Sequence, residues 1–107
     1  MLLTDTSIVK NTTWRKGKLE NSLCINCIWL GGEFINGLWS NGIWFNGTWQ
    51  GGYFFGGTWK NGIWKDGVWV DGTWDGGTWE SGTWLSGYDS DGNYHPEGDS
   101  PDKWSMK

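Results

Sequence analysis

The chain has few of the residues that carry chemistry. It holds one histidine, His95, two cysteines, and no apolar run approaching the length needed to span a membrane. No Ser/His/Asp set, pocketed carboxylate pair or phosphate-binding loop is present, so neither an enzyme nor a cofactor site is expected. Eight Lys and Arg face twelve Asp and Glu, and they form no basic patch of the kind that grips nucleic acid. The opening residues lack the basic-then-apolar order of a secretory leader, and two cysteines without one suit a soluble, reducing location.

What the chain has in quantity is glycine, 19 residues, and tryptophan, 12. So much glycine without a three-residue period is not collagen, and so much tryptophan is not a disordered linker. The two are locked in a five-residue period. Taking the aromatic as position zero, it recurs twelve times in succession from Trp29 to Trp84, with Phe34 and Phe54 as variants. The phase continues upstream through Cys24, Leu19, Trp14 and Val9, and downstream through Asp89 and Tyr94; of the tryptophans only Trp104 departs from it. Two residues before the aromatic stands Gly from Gly32 to Gly92, and Gly17, Ser7, Thr12, Ser22 or Cys27 earlier. The preceding position favours Thr, Ile, Val and Leu, as strands do. The following one includes Arg15, Lys60, Asp75 and Glu80, and the next is Asn, Asp, Gly or Ser, which is turn chemistry.

No 3.6-residue period exists, so the frames are extended segments that bury the small residue and the aromatic on one side and expose their neighbours on the other. One arrangement is an antiparallel meander with Asn-Gly and Asp-Gly hairpins. Identical pentads would then have to direct their hydrogen bonds alternately forward and backward, which requires a bulge at every turn. The favoured arrangement is all-β: a short parallel β-solenoid with four five-residue sides per coil and a Trp-filled core. Phe at 34 and 54, and Gly at 31 and 51, hint at a twenty-residue echo. The expected organisation is an N-terminal cap over 1–6, the solenoid over 7–94, and an acidic C-terminal tail over 95–107. About four coils would make a rod roughly 20 Å long.

The runs NGIW, NGTW, DGVW and DGTW resemble the pentapeptide-repeat proteins, with Gly in place of their Ala and Trp in place of their central Leu or Phe. That resemblance implies a right-handed, four-sided β-helix over residues 7 to 94. The Gly-Trp pentads are also similar to those of structural proteins of large tailed phages, which implies a virion location as the alternative to a cytoplasmic one.

Several residues invite chemical readings. Cys24 and Cys27 form a Cys-x-x-Cys pair, the spacing of a redox motif or half a zinc site, but both occupy inward slots and read better as core filler. Asp89, Asp91 and Asn93 begin like a calcium loop, yet Tyr94 stands where its Gly belongs, so a turn ending the array is the better reading. Outward positions in the weakly charged stretch 19–58 form the interface candidates: Ile25, Leu30, Ile35, Leu38, Ile43, Phe45, Tyr53 and Phe55. On four sides, Ile25 and Phe45 would share one and Ile35 and Phe55 another. The expected function is a non-catalytic structural, assembly or protein-interaction module that binds a protein or its own copies, without membrane or direct nucleic-acid contact. An acidic DNA mimic inhibiting a DNA-binding enzyme and a Trp-mediated glycan-binding adhesin are the alternatives. A basic start and an acidic end would also bring opposite charges together in head-to-tail stacking.

Overall fold

A computed structural model describes residues 2–3 and 8–104. Among them are sixteen short strands and one 3-10 turn, Pro101–Lys103. The array pairs in parallel, each residue against the one fifteen further on: Thr48 with Ile63, Ile63 with Thr78, and Trp44 with Trp59. The chain is therefore a parallel β-solenoid of about five coils with an aromatic core, and among the described residues the pentad array forms no meander. Each coil has three sides, not the expected four. The molecule measures 39 × 20 × 17 Å, longer than the array alone was expected to be.

We name the sides by their central residue. The Trp39 side stacks Val9, Cys24, Trp39, Phe54, Trp69 and Trp84. Trp14, Trp29, Trp44, Trp59 and Trp74 make the Trp44 side, which ends in Asp89. Leu19, Phe34, Trp49, Trp64 and Trp79 make the Trp49 side. Strands Leu23–Trp29, Gly37–Trp44 and Gly52–Trp59 run across the corner between the first two sides.

The core explains the number of sides. Within a layer the rings meet edge to face: Trp59 and Trp64 at 5.7 Å and 72°, Trp64 and Trp69 at 5.7 Å and 68°, and Trp59 and Trp69 at 6.5 Å and 74°. Each ring already touches the other two, which leaves no room on the axis for a fourth. Between layers the rings lie parallel, with Trp44 over Trp59 at 4.7 Å and Trp49 over Trp64 at 4.9 Å, close to the strand spacing. Seven tryptophans, Trp29 to Trp69, are fully buried.

Two backbone bonds per side tie each coil to the one below. Thr48 N–H donates to the Gly32 carbonyl at 2.9 Å and Gln50 N–H to the Phe34 carbonyl at 2.8 Å, and Ile63 and Lys65 repeat both bonds one coil on. A triangular coil turns more sharply at its corners than a square one, and glycine makes the bend. Gly47 and Gly67 have φ of +122° and +126°, and a Cβ on either would lie 2.6 Å from the carbonyl oxygen of the glycine one coil below. Where the early coils lack that glycine, Asn11, Asn21 and Asn26 adopt φ of 51–54° immediately before Thr12, Ser22 and Cys27. Ser22 and Cys27 then turn inward and are buried.

At the N-terminal edge, Leu2–Leu3 pairs in parallel with Lys18–Leu19. The other residues expected to form the 1–6 cap, and Ser7 beside them, lie outside the described residues, as do 105–107. At the C-terminal end, Tyr94–His95 folds back antiparallel on Gly87–Tyr88, and Trp104 packs edge-on over Trp84 at 5.4 Å. The one tryptophan outside the pentad phase thus covers the last indole of the Trp39 side.

Gly67→Ala adds a methyl against backbone at a positive φ, and is expected to cost ~2–5 kcal/mol in denaturant unfolding from backbone strain and overpacking together. Gly56→Ala, whose Cβ would meet nothing within 4 Å, is expected to be near neutral. Equal costs for the two would contradict the corner contact. The seven inner indole N–H groups from Trp29 to Trp69 have no hydrogen-bond partner, whereas Trp84 Nε1 donates to the His95 carbonyl at 3.1 Å. Removing an unsatisfied donor offsets the small cavity left by Trp64→Phe, so that variant should fall within about 1 kcal/mol of the parent. Trp84→Phe loses a formed bond and should unfold at measurably lower denaturant.

Candidate interaction surface

The three sides differ outside as sharply as they agree inside. On the Trp39 side the residues before the aromatic slot form the ladder Leu23, Leu38, Tyr53 and Val68. Those after it include Ile25, Phe55, Val70 and Leu85, and from Leu23 to Leu85 no outward residue on this side carries a charge. A register shift pairs Ser40 with Gly56, which leaves Phe55 free of the ladder, and its ring stands 5.9 Å from that of Tyr53. Tyr53 and Phe55 are 47% and 44% exposed. An open groove of about 410 Å³ runs along the adjoining corner, lined by Leu23, Leu38 and Tyr53 among others.

The other two sides carry ion pairs spaced one coil apart. Lys60 meets Asp75 at 3.4 Å on the Trp44 side. Lys18 meets Glu33 at 3.8 Å and Lys65 meets Glu80 at 3.6 Å on the Trp49 side, where Gln50 Nε2 also donates to Glu33 at 2.7 Å. Such exposed pairs contribute about 0–1 kcal/mol each, and their main effect is to keep these surfaces hydrated.

The eight interface candidates are all outside the core, but not on the sides expected of a square coil. Ile25, Leu38, Tyr53 and Phe55 share the Trp39 side; Leu30, Ile43 and Phe45 share the Trp44 side; Ile35 stands alone among the charges of the Trp49 side. Ile25, Ile35 and Ile43 are half-buried and the other five exposed. The pentad reading missed Leu23, Val68, Val70 and Leu85. Their fifteen-residue spacing from Leu38, Tyr53, Phe55 and Val70 was the signal that could have found them.

Cys24 and Cys27 lie in the core, each 1% exposed, and the Cys27 thiol donates to the Val9 carbonyl at 3.3 Å. Hydrogen bonding to Cys27, together with burial, pushes the Cys24 thiol well up. Asp89 Oδ1 accepts the backbone N–H groups of Asp91 at 2.9 Å and Asn93 at 3.0 Å, the geometry of a turn closing the array. Its Oδ2 meets His95 Nε2 at 2.9 Å, Asp99 Oδ2 meets His95 Nδ1 at 2.7 Å, and the His95 ring stacks on Trp104 at 4.0 Å. Among the described residues no group of three or more His, Cys, Asp or Glu is placed to hold a metal, and no helix is long and apolar enough to cross a membrane.

No protein-family model, curated protein or solved structure matches the chain, so the reading of its surface rests on its own geometry.

The His95 cluster gives the C-terminal fold-back a pH dependence. Burial opposes charging His95, but hydrogen bonds to Asp89 and Asp99 outweigh it and raise the pKa above the ordinary 6.5. This contribution is complete below 6.5 and is lost as pH rises through the raised folded value. The hydrogen bond to His95, joined by backbone N–H donors from Asn93 and Asp91, holds the Asp89 carboxyl well below its ordinary 3.8. That share is present above 3.8 and is lost as pH falls towards the depressed folded value. The Trp104 indole N–H, bonded to the Asp99 carbonyl at 2.8 Å, should be best protected from solvent exchange between 3.8 and 6.5. His95→Gln should remove the alkaline fall in that protection.

Proposed function

We propose that the chain is a non-catalytic structural or assembly module, a component of a larger protein particle or complex, working through an exposed sheet face. The observation that carries this reading is the charge-free apolar Trp39 side set beside two ion-paired sides. A soluble rod has no packing reason to gather Leu23, Leu38, Tyr53, Phe55 and Val70 on one flat surface, and contiguous apolar patches of this kind mark protein contacts. The solid interior supports the same reading, because indoles fill the space where a substrate could sit.

The two alternatives find less support. A glycan platform needs outward indoles, and from Trp29 to Trp84 every tryptophan is buried. A DNA mimic needs an unbroken acidic file, whereas Lys60 and Lys65 interleave with Asp75 and Glu80 as ion pairs.

Light scattering after size-exclusion chromatography at two protein concentrations tests the assembly reading. It anticipates a mass above the 12.1 kDa of one chain. Tyr53→Lys combined with Phe55→Lys should release monomers that keep the parent circular dichroism and tryptophan emission. A single-chain mass at both concentrations would remove self-assembly, and an assembly that survives the double substitution would remove these residues from its surface.

A further inference from the structure

We propose that two copies of the chain pack face to face through their Trp39 sides, antiparallel, about a two-fold axis lying between Leu38 and Tyr53. This rests on the assembly reading above and names its partner.

The covered C-terminal end of the rod favours assembly through its sides. The last coil is partly covered: Gly98 N–H donates to the Trp84 carbonyl at 2.8 Å, the His95 carbonyl accepts the Trp84 indole N–H, and Trp104 lies over the ring. The Trp84 carbonyl, one of the acceptors a following coil would use, is occupied, and the fold-back lies over the Trp84 ring, so head-to-tail stacking is obstructed on the Trp39 side of this end. Of the three sides, only the Trp39 side can be dehydrated without stripping water from an ion pair.

Charge sets the direction of packing. Lys10 stands at one end of the Trp39 side, while Asp66 and Asp71 flank its far half on the two corners. An antiparallel pair brings the Lys10 of each copy towards the Asp71 corner of the other, whereas a parallel pair sets like charges side by side. A two-fold arrangement also matches the patch to itself, as an isologous interface requires. Leu38 of one copy then faces Tyr53 of the other, and the raised Phe55 rings fit against the small Ser40 positions. Five coils at ~4.8 Å make the face about 24 Å long. With its corners it would bury on the order of 500–700 Å² per copy, at the lower end of specific interfaces. A reversible dimer, not an obligate one, is the expected result.

Cross-linking and mass together decide it. Lys10→Cys and Asp71→Cys chains, mixed and treated with a thiol oxidant, should give a disulfide-linked pair of one of each, while neither alone links to itself. The native cysteines do not compete, being 1% exposed. Tyr53→Lys should weaken the dimer roughly 30-fold or more with circular dichroism unchanged, and Phe45→Lys should leave it intact. Self-linking of Lys10→Cys would overturn the antiparallel arrangement. A larger assembly, or one broken by Phe45→Lys and not by Tyr53→Lys, would overturn the face-to-face dimer while leaving the assembly reading standing. A chain that stays monomeric at every concentration would overturn both the dimer and self-assembly.

Discussion

Each full coil rests on a contact between backbones at its corners, where a glycine lies against the glycine one coil below with no space for a side chain between them. Nothing larger than hydrogen fits on Gly47 or Gly67, because a Cβ would press on the carbonyl below and also approach Trp29 Nε1 at 2.9 Å or Trp49 Nε1 at 3.0 Å. The same residue sets the bend, the spacing of the coils and the clearance for the indole. Glycine ordinarily weakens a strand through its freedom in the unfolded chain. Here that cost is repeated at almost every corner, and the burial of a tryptophan a few residues away offsets it. The two residue types that dominate the composition thus act together, the glycine clearing the space that the ring of its neighbour fills.

The indole stacks have a cost of their own. Seven N–H groups are sealed away from water and from acceptors, each at about 1–3 kcal/mol. Only towards the ends are such donors satisfied, by Gly17 for Trp14 at 3.5 Å and by His95 for Trp84. The inner layers hold despite this because each ring has parallel neighbours above and below and edge contacts within its layer. Phe34 and Phe54 occupy equivalent slots without interrupting the stacks, which shows that ring area and not the N–H is what the core requires.

Much of this was legible in the sequence. The phase of the aromatics gave the inward positions, including the weak frames at Leu19 and Cys24, and parity of hydrogen bonding favoured parallel coils over a meander. The number of sides was not legible, since a five-residue period fits a triangle and a square equally. The apparent twenty-residue echo pairs residues from different sides: Phe34 stacks on Trp49, and Phe54 on Trp69. That ambiguity scattered the interface candidates, because deciding which outward residues are neighbours requires the length of the coil. Trp104 was visible as the exception to the phase, but its place over Trp84 depends on a fold-back at Tyr94–His95 that no periodicity encodes.

A coil of three equal pentads also behaves like a clock with three hours. Duplication or loss of three pentads lengthens or shortens the rod and leaves every later side facing as before. Gain or loss of a single pentad preserves the core just as well, yet rotates everything beyond it by one side. Beyond such a slip, Val68 and Val70 would pass to a neighbouring side while Leu23 and Leu38 stayed in place, and the apolar stripe would wind round the rod. The interior therefore tolerates length changes in steps of five, but a continuous working face tolerates them only in steps of fifteen, so drift in repeat number is constrained by the surface and not by the fold.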